Sequence, residues 1–160
     1  LYRNRVEHIK REMPNACIGV DVIVGYPGET EEAFMETVNL LKSLDVSYFH
    51  VFTYSERANT TALRMNEVVP MHVRQERNKV LTMLSHKKKR AFYESQSNSE
   101  QEVLWEASEN EGMMQGFTKN YVKVQRKFDS TRINKIEHIQ LGSVQKNGLH
   151  SLVEEPSLVV

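Results

Sequence analysis

The 160 residues carry 21 Lys and Arg against 21 Asp and Glu, and 39% of them are hydrophobic. That is enough apolar material for one ordinary domain or two small ones, and with zero net charge any nucleic-acid binding must come from a local concentration of cations. A single cysteine, Cys17, excludes an internal disulfide and fits a reducing cytosol, and no apolar run approaches the roughly 20 residues of a membrane span.

The chain opens Leu1-Tyr2-Arg3-Asn4-Arg5, with no initiating Met, apolar leader or transit-peptide character. Tyr2, Val6, Ile9 and Met13 recur at steps of four, three and four, the spacing of a helix stripe. A chain that starts inside an amphipathic helix is expected to be a fragment of a longer one. Pro14-Asn15 breaks that helix, and a strand is predicted from about Cys17 to Val24. Thr30 is placed to N-cap the next helix, with Glu31 and Glu32 at the positive end of its dipole. Phe34, Val38, Leu41 and Leu44 form its buried stripe, and a second strand follows from Tyr48 to Ser55. Strand, helix and strand describe a right-handed parallel unit.

Residues 70–95 read as one long helix with Pro70 in its first turn and Val73, Arg77, Val80, Leu84 and Phe92 near one face. Its Lys87-Lys88-Lys89-Arg90 run is the most basic spot in the chain, and a solvated helix face accounts for it. From about Ser99 the pattern changes to short β segments: Glu102–Glu106, Met113–Thr118, Tyr121–Lys127, Ile136–Leu141 and Leu149–Val153. Gly112, Gly116, Gly142 and Asn147-Gly148 punctuate them, and Asn-Gly is the strongest short hairpin signal. Five short strands in this length predict a small all-β barrel of the OB-like kind, with Trp105 and Met113 in its core.

The first strand sorts into an aliphatic face of Ile18, Val20, Val22 and Val24 and a face of Gly19, Asp21, Ile23 and Gly25. A parallel strand buried on both sides is usually apolar on both, so small residues with one carboxylate predict a face that leaves room for something. Its exit, Gly25-Tyr26-Pro27-Gly28-Glu29-Thr30, lies where α/β folds bind ligands; equally, it is a plain strand-to-helix connection. Asp21-Val-Ile23-Val-Gly25-Tyr-Pro27-Gly28-Glu29-Thr30 resembles the D-x-I-x-G-x-P-G-E-T segment of radical-SAM enzymes. The resemblance implies a strand lying against the adenine and ribose of S-adenosylmethionine, with Ile23 and Gly25 as adenine-side contacts and Asp21 beside them. Gly28 belongs to the same loop, and Glu29 would close it.

On the second strand His50, Phe52 and Tyr54 share a face opposite Phe49, Val51 and Thr53. His50-Val-Phe52-Thr-Tyr54-Ser-Glu-Arg57, with Thr60 and Ala62, is similar to the H-V-F-x-Y-S-x-R-x-G-T-x-A run of methylthiotransferases, at the family's separation from the first motif. By that resemblance Phe52 joins the cofactor wall. Asn59 stands where the family usually has glycine, and asparagine tolerates a positive φ. Arg57 suits a phosphate or a nucleobase, or else a surface salt bridge with Glu56 or Glu67. His50 reads as a packed, hydrogen-bonded histidine before a ligand or base.

Residues 99–160 hold seven Lys or Arg against nine Asp or Glu, but residues 119–135 hold six cations against Asp129 alone. Such a stripe can meet phosphates on an otherwise neutral barrel, with Phe117 and Tyr121 offering rings to bases; ordinary solvating charge is the competing account. Gly116-Phe-Thr118-Lys-Asn120-Tyr121-Val-Lys-Val124 closely resembles the G-x-T-x-N-Y-x-x-V signature of the TRAM domain, a β-barrel that holds tRNA. By that resemblance Asn120 and Tyr121 shape the turn, and Lys119, Lys123, Arg126 and Lys127 meet phosphates.

Together these motifs identify the chain as resembling the C-terminal part of the radical-SAM tRNA methylthiotransferase family. The implied organisation is an α/β barrel fragment over residues 1–64, a connecting helix over 65–97 and a TRAM β-barrel over 98–160. The implied chemistry is methylthiolation at C2 of a modified adenosine beside the anticodon, with S-adenosylmethionine and [4Fe-4S] clusters as cofactors. The tRNA anticodon arm is then the partner, not DNA or a membrane. The second strand and residues 120–124 resemble most the branch acting on threonylcarbamoyladenosine, with the isopentenyladenosine branch as its close competitor. A ribosomal-protein-modifying branch usually carries an acid where this chain has Arg57. Cluster ligation needs three cysteines, so a chain with Cys17 alone is expected to be inert, with no catalytic or metal-binding residue. A non-catalytic RNA-binding adaptor is the alternative of another class. An unrelated phosphate-binding enzyme would want a lysine at the Gly25–Thr30 loop, which has none.

Overall fold

The computed structural model describes residues 1–152 and separates the chain into two compact units, Leu1–Lys89 and Arg90–Val160. In the first unit helix α1 (Tyr2–Glu12) precedes strand β1 (Gly19–Val24), helix α2 (Glu31–Ser43) and strand β2 (Tyr48–Thr53). Helix α3 (Met71–Ser95) follows a 3₁₀ turn at Thr61–Arg64 and contributes residues to both units.

β1 and β2 pair in parallel, with Gly19 opposite Tyr48, Asp21 opposite His50 and Ile23 opposite Phe52. The alternating residues of β1, Val20, Val22 and Val24, face the core of Val6, Phe34, Val38, Leu41, Leu44 and Leu81. α2 forms as its sequence predicts: the Thr30 hydroxyl accepts the Ala33 N–H at 3.2 Å, and Phe34, Val38, Leu41 and Leu44 are buried. α1 is tied down more lightly than its periodicity implied. Val6 is its one fully buried residue, and Tyr2 and Met13 are exposed.

α3 departs from the expected stripe. Arg77 and Phe92 are buried as expected and Leu84 packs against the core, but Val80 is exposed, and Arg74, Leu81 and Ser85 are buried as well. The reason lies in β2, whose outer edge has no strand partner among the described residues. The Ser85 hydroxyl accepts the Phe49 N–H at 2.8 Å and donates to the Phe49 carbonyl at 2.9 Å. Asn78 donates to the Val51 carbonyl at 3.1 Å. Polar helix residues therefore cover a strand edge, and an apolar stripe there would have left those backbone groups unpaired.

The second unit is a closed five-stranded barrel in the order β3 (Glu100–Asn110), β4 (Met113–Thr118), β5 (Lys123–Lys127), β7 (His150–Leu152) and β6 (Ile136–Val144), with β6 returning to β3. It is compatible with a small OB-like barrel. Trp105, Val103, Met114, Val122, Val124, Leu141 and His150 are fully buried in it. Met113, expected inside, is half-buried, and its neighbour Met114 takes the core place. β3 is longer than expected and shifts register between Trp105 and Glu109, a bulge that lets one strand bend round the barrel and pair with both β4 and β6. Asn147-Gly148 lies in the loop of a hairpin, as its signal implied, with β6 and β7 antiparallel on either side and the Gly148 N–H donating to the Gln145 carbonyl at 2.9 Å. A tighter two-residue turn sits at Glu111-Gly112, both at positive φ. Of the last predicted strand, Val153 lies outside the described residues.

Candidate functional site

The face of the parallel pair that turns away from the core carries Gly19, Asp21 and Ile23 against Tyr48, His50 and Phe52. It is narrow at one end, where a Cβ on Gly19 would sit 2.7 Å from the Tyr48 ring. At the other end Ile23 and Phe52 stand side by side, 59% and 52% exposed, with the Asp21 carboxylate one step behind. An apolar pair beside a carboxylate offers a surface to a flat ring and an acceptor to a hydroxyl. His50 is also on this face, exposed and edge-on to Tyr48 with ring centroids 5.1 Å apart, which corrects its reading as a packed histidine. The packed histidine is His150, whose ring nitrogens lie 2.9 and 2.8 Å from the carbonyls of Gly142 and Tyr93.

Two loops leave the C-terminal ends of these strands, and two arginines of α3 hold them. Gly25 is buried at φ +78, and its N–H donates to the Glu29 carboxylate at 2.7 Å. Arg77 donates to the same carboxylate at 2.7 Å and to the Glu29 carbonyl at 2.9 Å, and reaches Glu31 at 3.2 Å. Glu29 thus closes the loop on itself, spending its charge on a backbone N–H and a guanidinium. Gly28, at φ +86, donates its N–H to the Glu67 carbonyl at 2.8 Å. Gly28, Glu29, Glu67, Val69 and Arg77 line a cleft of about 420 Å³.

Arg74 serves the second loop. It donates to the carbonyls of Val69 and Tyr54 at 2.7 and 3.0 Å and to the Glu56 carboxylate at 2.7 Å, while its stem packs where a Gly25 side chain would be. The Glu56 carboxyl is held below its ordinary range chiefly by that hydrogen bond from Arg74. Glu56 is therefore taken by Arg74 rather than Arg57, whose side chain is exposed. Asn59 has φ +64, the conformation expected where its family motif carries glycine. Sequence reasoning missed Arg74 and set Arg77 in an apolar stripe. The signal was available as a polar set, Arg74, Asn78 and Ser85, spaced by four and seven around Leu81.

The barrel distributes its cations unevenly. Lys119 pairs with Glu102, whose carboxyl is held low chiefly by that contact. Arg126 pairs with Glu137 at 3.1 Å and lies over the Trp105 ring, 5.2 Å from its centre. Arg132 pairs with Asp129 and with Glu137. Half of the stripe counted along the sequence is thus paired with acids, and Lys135 is in no salt bridge among the described residues. Lys123, whose ammonium lies 5.4 Å from the centre of the Phe117 ring, and the exposed Lys127 take part in no salt bridge among the described residues. Asn120 braces the β4–β5 turn: its side-chain oxygen accepts from Thr118 at 2.6 Å, and its amide donates to Gln96 at 3.0 Å. Tyr121, at φ +62, presents a ring that is 72% exposed.

Cys17 lies just before β1, half-buried, and burial pushes its thiol up. Among the described residues no group of three His, Cys, Asp or Glu side chains could hold a metal ion. A cluster with three cysteine ligands does not fit the residues present. No described helix is long and apolar enough to cross a membrane.

No protein-family model matches the chain. Among curated proteins it is 37% identical over 144 residues, 88% of its length, to the threonylcarbamoyladenosine tRNA methylthiotransferase MtaB of Bacillus subtilis, covering 32% of that protein. It is 36% identical over 143 residues, again 88% of its length, to the tRNA-2-methylthio-N(6)-dimethylallyladenosine synthase of Bacillus pumilus, covering 28% of it. A second MtaB, from Aquifex aeolicus, matches at 37% over 125 residues, 78% of this chain and 29% of that protein. The chain spans about a third of the length of these relatives. By this likeness, which runs through both units, the chain belongs to the tRNA methylthiotransferase family.

Proposed function

We propose that the chain is the C-terminal part of a radical-SAM enzyme that adds a methylthio group to C2 of N6-threonylcarbamoyladenosine beside the tRNA anticodon. The first unit would be the tail of the catalytic barrel and the second a TRAM module that grips tRNA. The observation that carries the reading is the open face of β1 and β2, ending in two loops clamped by Arg74 and Arg77. On it Ile23 and Phe52 make a wall for an adenine ring, and Asp21 can accept from a ribose hydroxyl. Gly25 and Gly28 bring backbone close, and Glu29 acts as the clasp of the loop. S-Adenosylmethionine supplies the methyl group and the radical when bound. The cluster has no ligand set in this chain, so the chain alone is proposed to be inert.

The barrel's share is RNA binding, and Arg57 at the exit of β2 suits a phosphate or nucleobase. The isopentenyladenosine branch is the second reading, favoured by the 36% identity to a synthase of that type. Deleting the gene that encodes the chain and measuring tRNA nucleosides by mass spectrometry separates the readings. Loss of the 2-methylthio derivative of threonylcarbamoyladenosine is the expected result. Loss of the isopentenyl derivative would move the substrate to the other branch. Retention of both would sink the enzyme reading and leave an RNA-binding adaptor.

A further inference from the structure

We propose that the outer face of the β4–β5 hairpin seats a single-stranded RNA segment, its bases against Phe117 and Tyr121 and its phosphates on Lys123 and Lys127. This deepens the reading of the barrel as an RNA-binding module and rests on it.

The register sets Phe117 opposite Lys123, Gln115 opposite Gln125 and Met113 opposite Lys127. Their alternation with buried Met114, Gly116 and Val124 puts these three rows on the outside. The face has two cations, two amides, one aromatic ring, one thioether and no carboxylate. That contrasts with β3, where the outward residues Glu102 and Glu106 flank Leu104. It contrasts also with Lys119, Arg126 and Arg132, each already matched by an acid. An anionic ligand gains most where cations have no internal partner, so charge favours this face over Lys119, Arg126 and Arg132. Lys135 is also exposed and in no salt bridge among the described residues, but it lies outside the hairpin and its rings.

At the tip of the same hairpin the Tyr121 ring is held out by a fixed backbone. Its carbonyl accepts from the Tyr93 hydroxyl at 3.2 Å, that hydroxyl accepts the Lys123 N–H at 3.2 Å, and the Thr118 hydroxyl accepts the Val122 N–H at 2.9 Å. An aromatic ring presented rigidly to solvent loses little entropy on stacking. Duplex RNA hides its base faces, whereas unpaired bases present them, so rings select a single strand. Gln115 and Gln125 stand between the lysine rows; the Gln125 oxygen accepts from the Asn147 amide at 2.8 Å, which leaves its own amide as a donor and Gln115 as donor and acceptor for base edges.

The whole 160-residue chain is titrated by fluorescence anisotropy with a labelled single-stranded RNA of mixed sequence and with a duplex of the same length. The two hairpin lysines alone predict a log–log salt slope of about −1.4, against about −4 for all six cations of the stripe. Lys123→Gln with Lys127→Gln should flatten the slope, and Lys135→Gln with Lys146→Gln should leave it unchanged. Tyr121→Asn removes the ring while keeping a residue suited to positive φ, and should weaken binding by about fivefold or more. Tyr121→Phe should restore it. Single-strand binding that ignores both hairpin changes would overturn the seat while leaving the barrel an RNA binder. Equal binding of duplex would overturn the stacking mode. No RNA binding by the unaltered chain would overturn the underlying reading and the seat with it.

Discussion

Gly25 is the residue on which the first unit's site turns. Its positive φ aims its N–H at Glu29, and its missing side chain lets the Arg74 stem pass directly beneath the loop. Gly25→Ala therefore meets two costs together, a strained backbone and a collision with buried atoms. It should destabilise the chain by more than about 1 kcal/mol. Gly112→Ala, where a Cβ would meet nothing, bears the backbone cost alone and should cost less, both read by urea unfolding. The glycine itself was legible, because Gly-Tyr-Pro-Gly after a strand announces a tight exit. The guanidinium beneath it was not, because Arg74 lies 49 positions away and local patterning has no access to that distance. The cations of the barrel teach the same lesson. Six of them lie within 17 consecutive residues, and the acids Glu102 and Glu137 that neutralise three sit on neighbouring strands, outside that count.

α3 shows how an element can satisfy another at the expense of its own periodicity. The spacing of Val73, Arg77, Val80, Leu84 and Phe92 pointed to one face, and the fold buries Arg77 and Phe92 of it but leaves Val80 exposed and turns Arg74, Leu81 and Ser85 inward. That choice gives Phe49 and Val51 of β2 hydrogen-bonding partners that β1 cannot supply. Ser85→Ala tests the account. The substitution favours helix and removes almost no volume, so propensity predicts a neutral or stabilising change. Loss of the hydroxyl leaves the Phe49 N–H and carbonyl buried without their partner, which should cost about 1–3 kcal/mol instead. Faster hydrogen exchange of the Phe49 amide is the accompanying sign, and a stability equal to the parent's would show that the edge needs no cover. Strands and helices were otherwise readable from alternation and caps. α2 and β4 lie where the sequence put them, because each is set by its own residues. β3 was read short because a bulge lets polar, exposed residues up to Asn110 continue the strand after the apolar pattern has ended.

At the scale of the whole molecule the two sheets manage their edges differently. The barrel closes on itself, with β6 returning to β3, and offers no free edge among its described strands. The parallel pair has its β2 edge covered by α3, but β1 has β2 as its only strand neighbour among the described residues. Beside that edge lies the face on which Ile23 and Phe52 are more than half exposed. An open edge next to adjoining apolar side chains is the arrangement that pairs with another copy when nothing else covers it. The expectation is self-association of the chain through the first unit, growing from low to high micromolar concentration in sedimentation velocity. Ile23→Lys with Phe52→Lys places charges on that face without touching the core side of either strand, and should return the chain to a monomer with the same circular dichroism. Lysines at Gln115 and Gln125, on the barrel, should leave the association unchanged. If the unaltered chain sediments as a monomer across the whole range, the β1 edge and its apolar face are protected well enough by the 89 residues of their own unit.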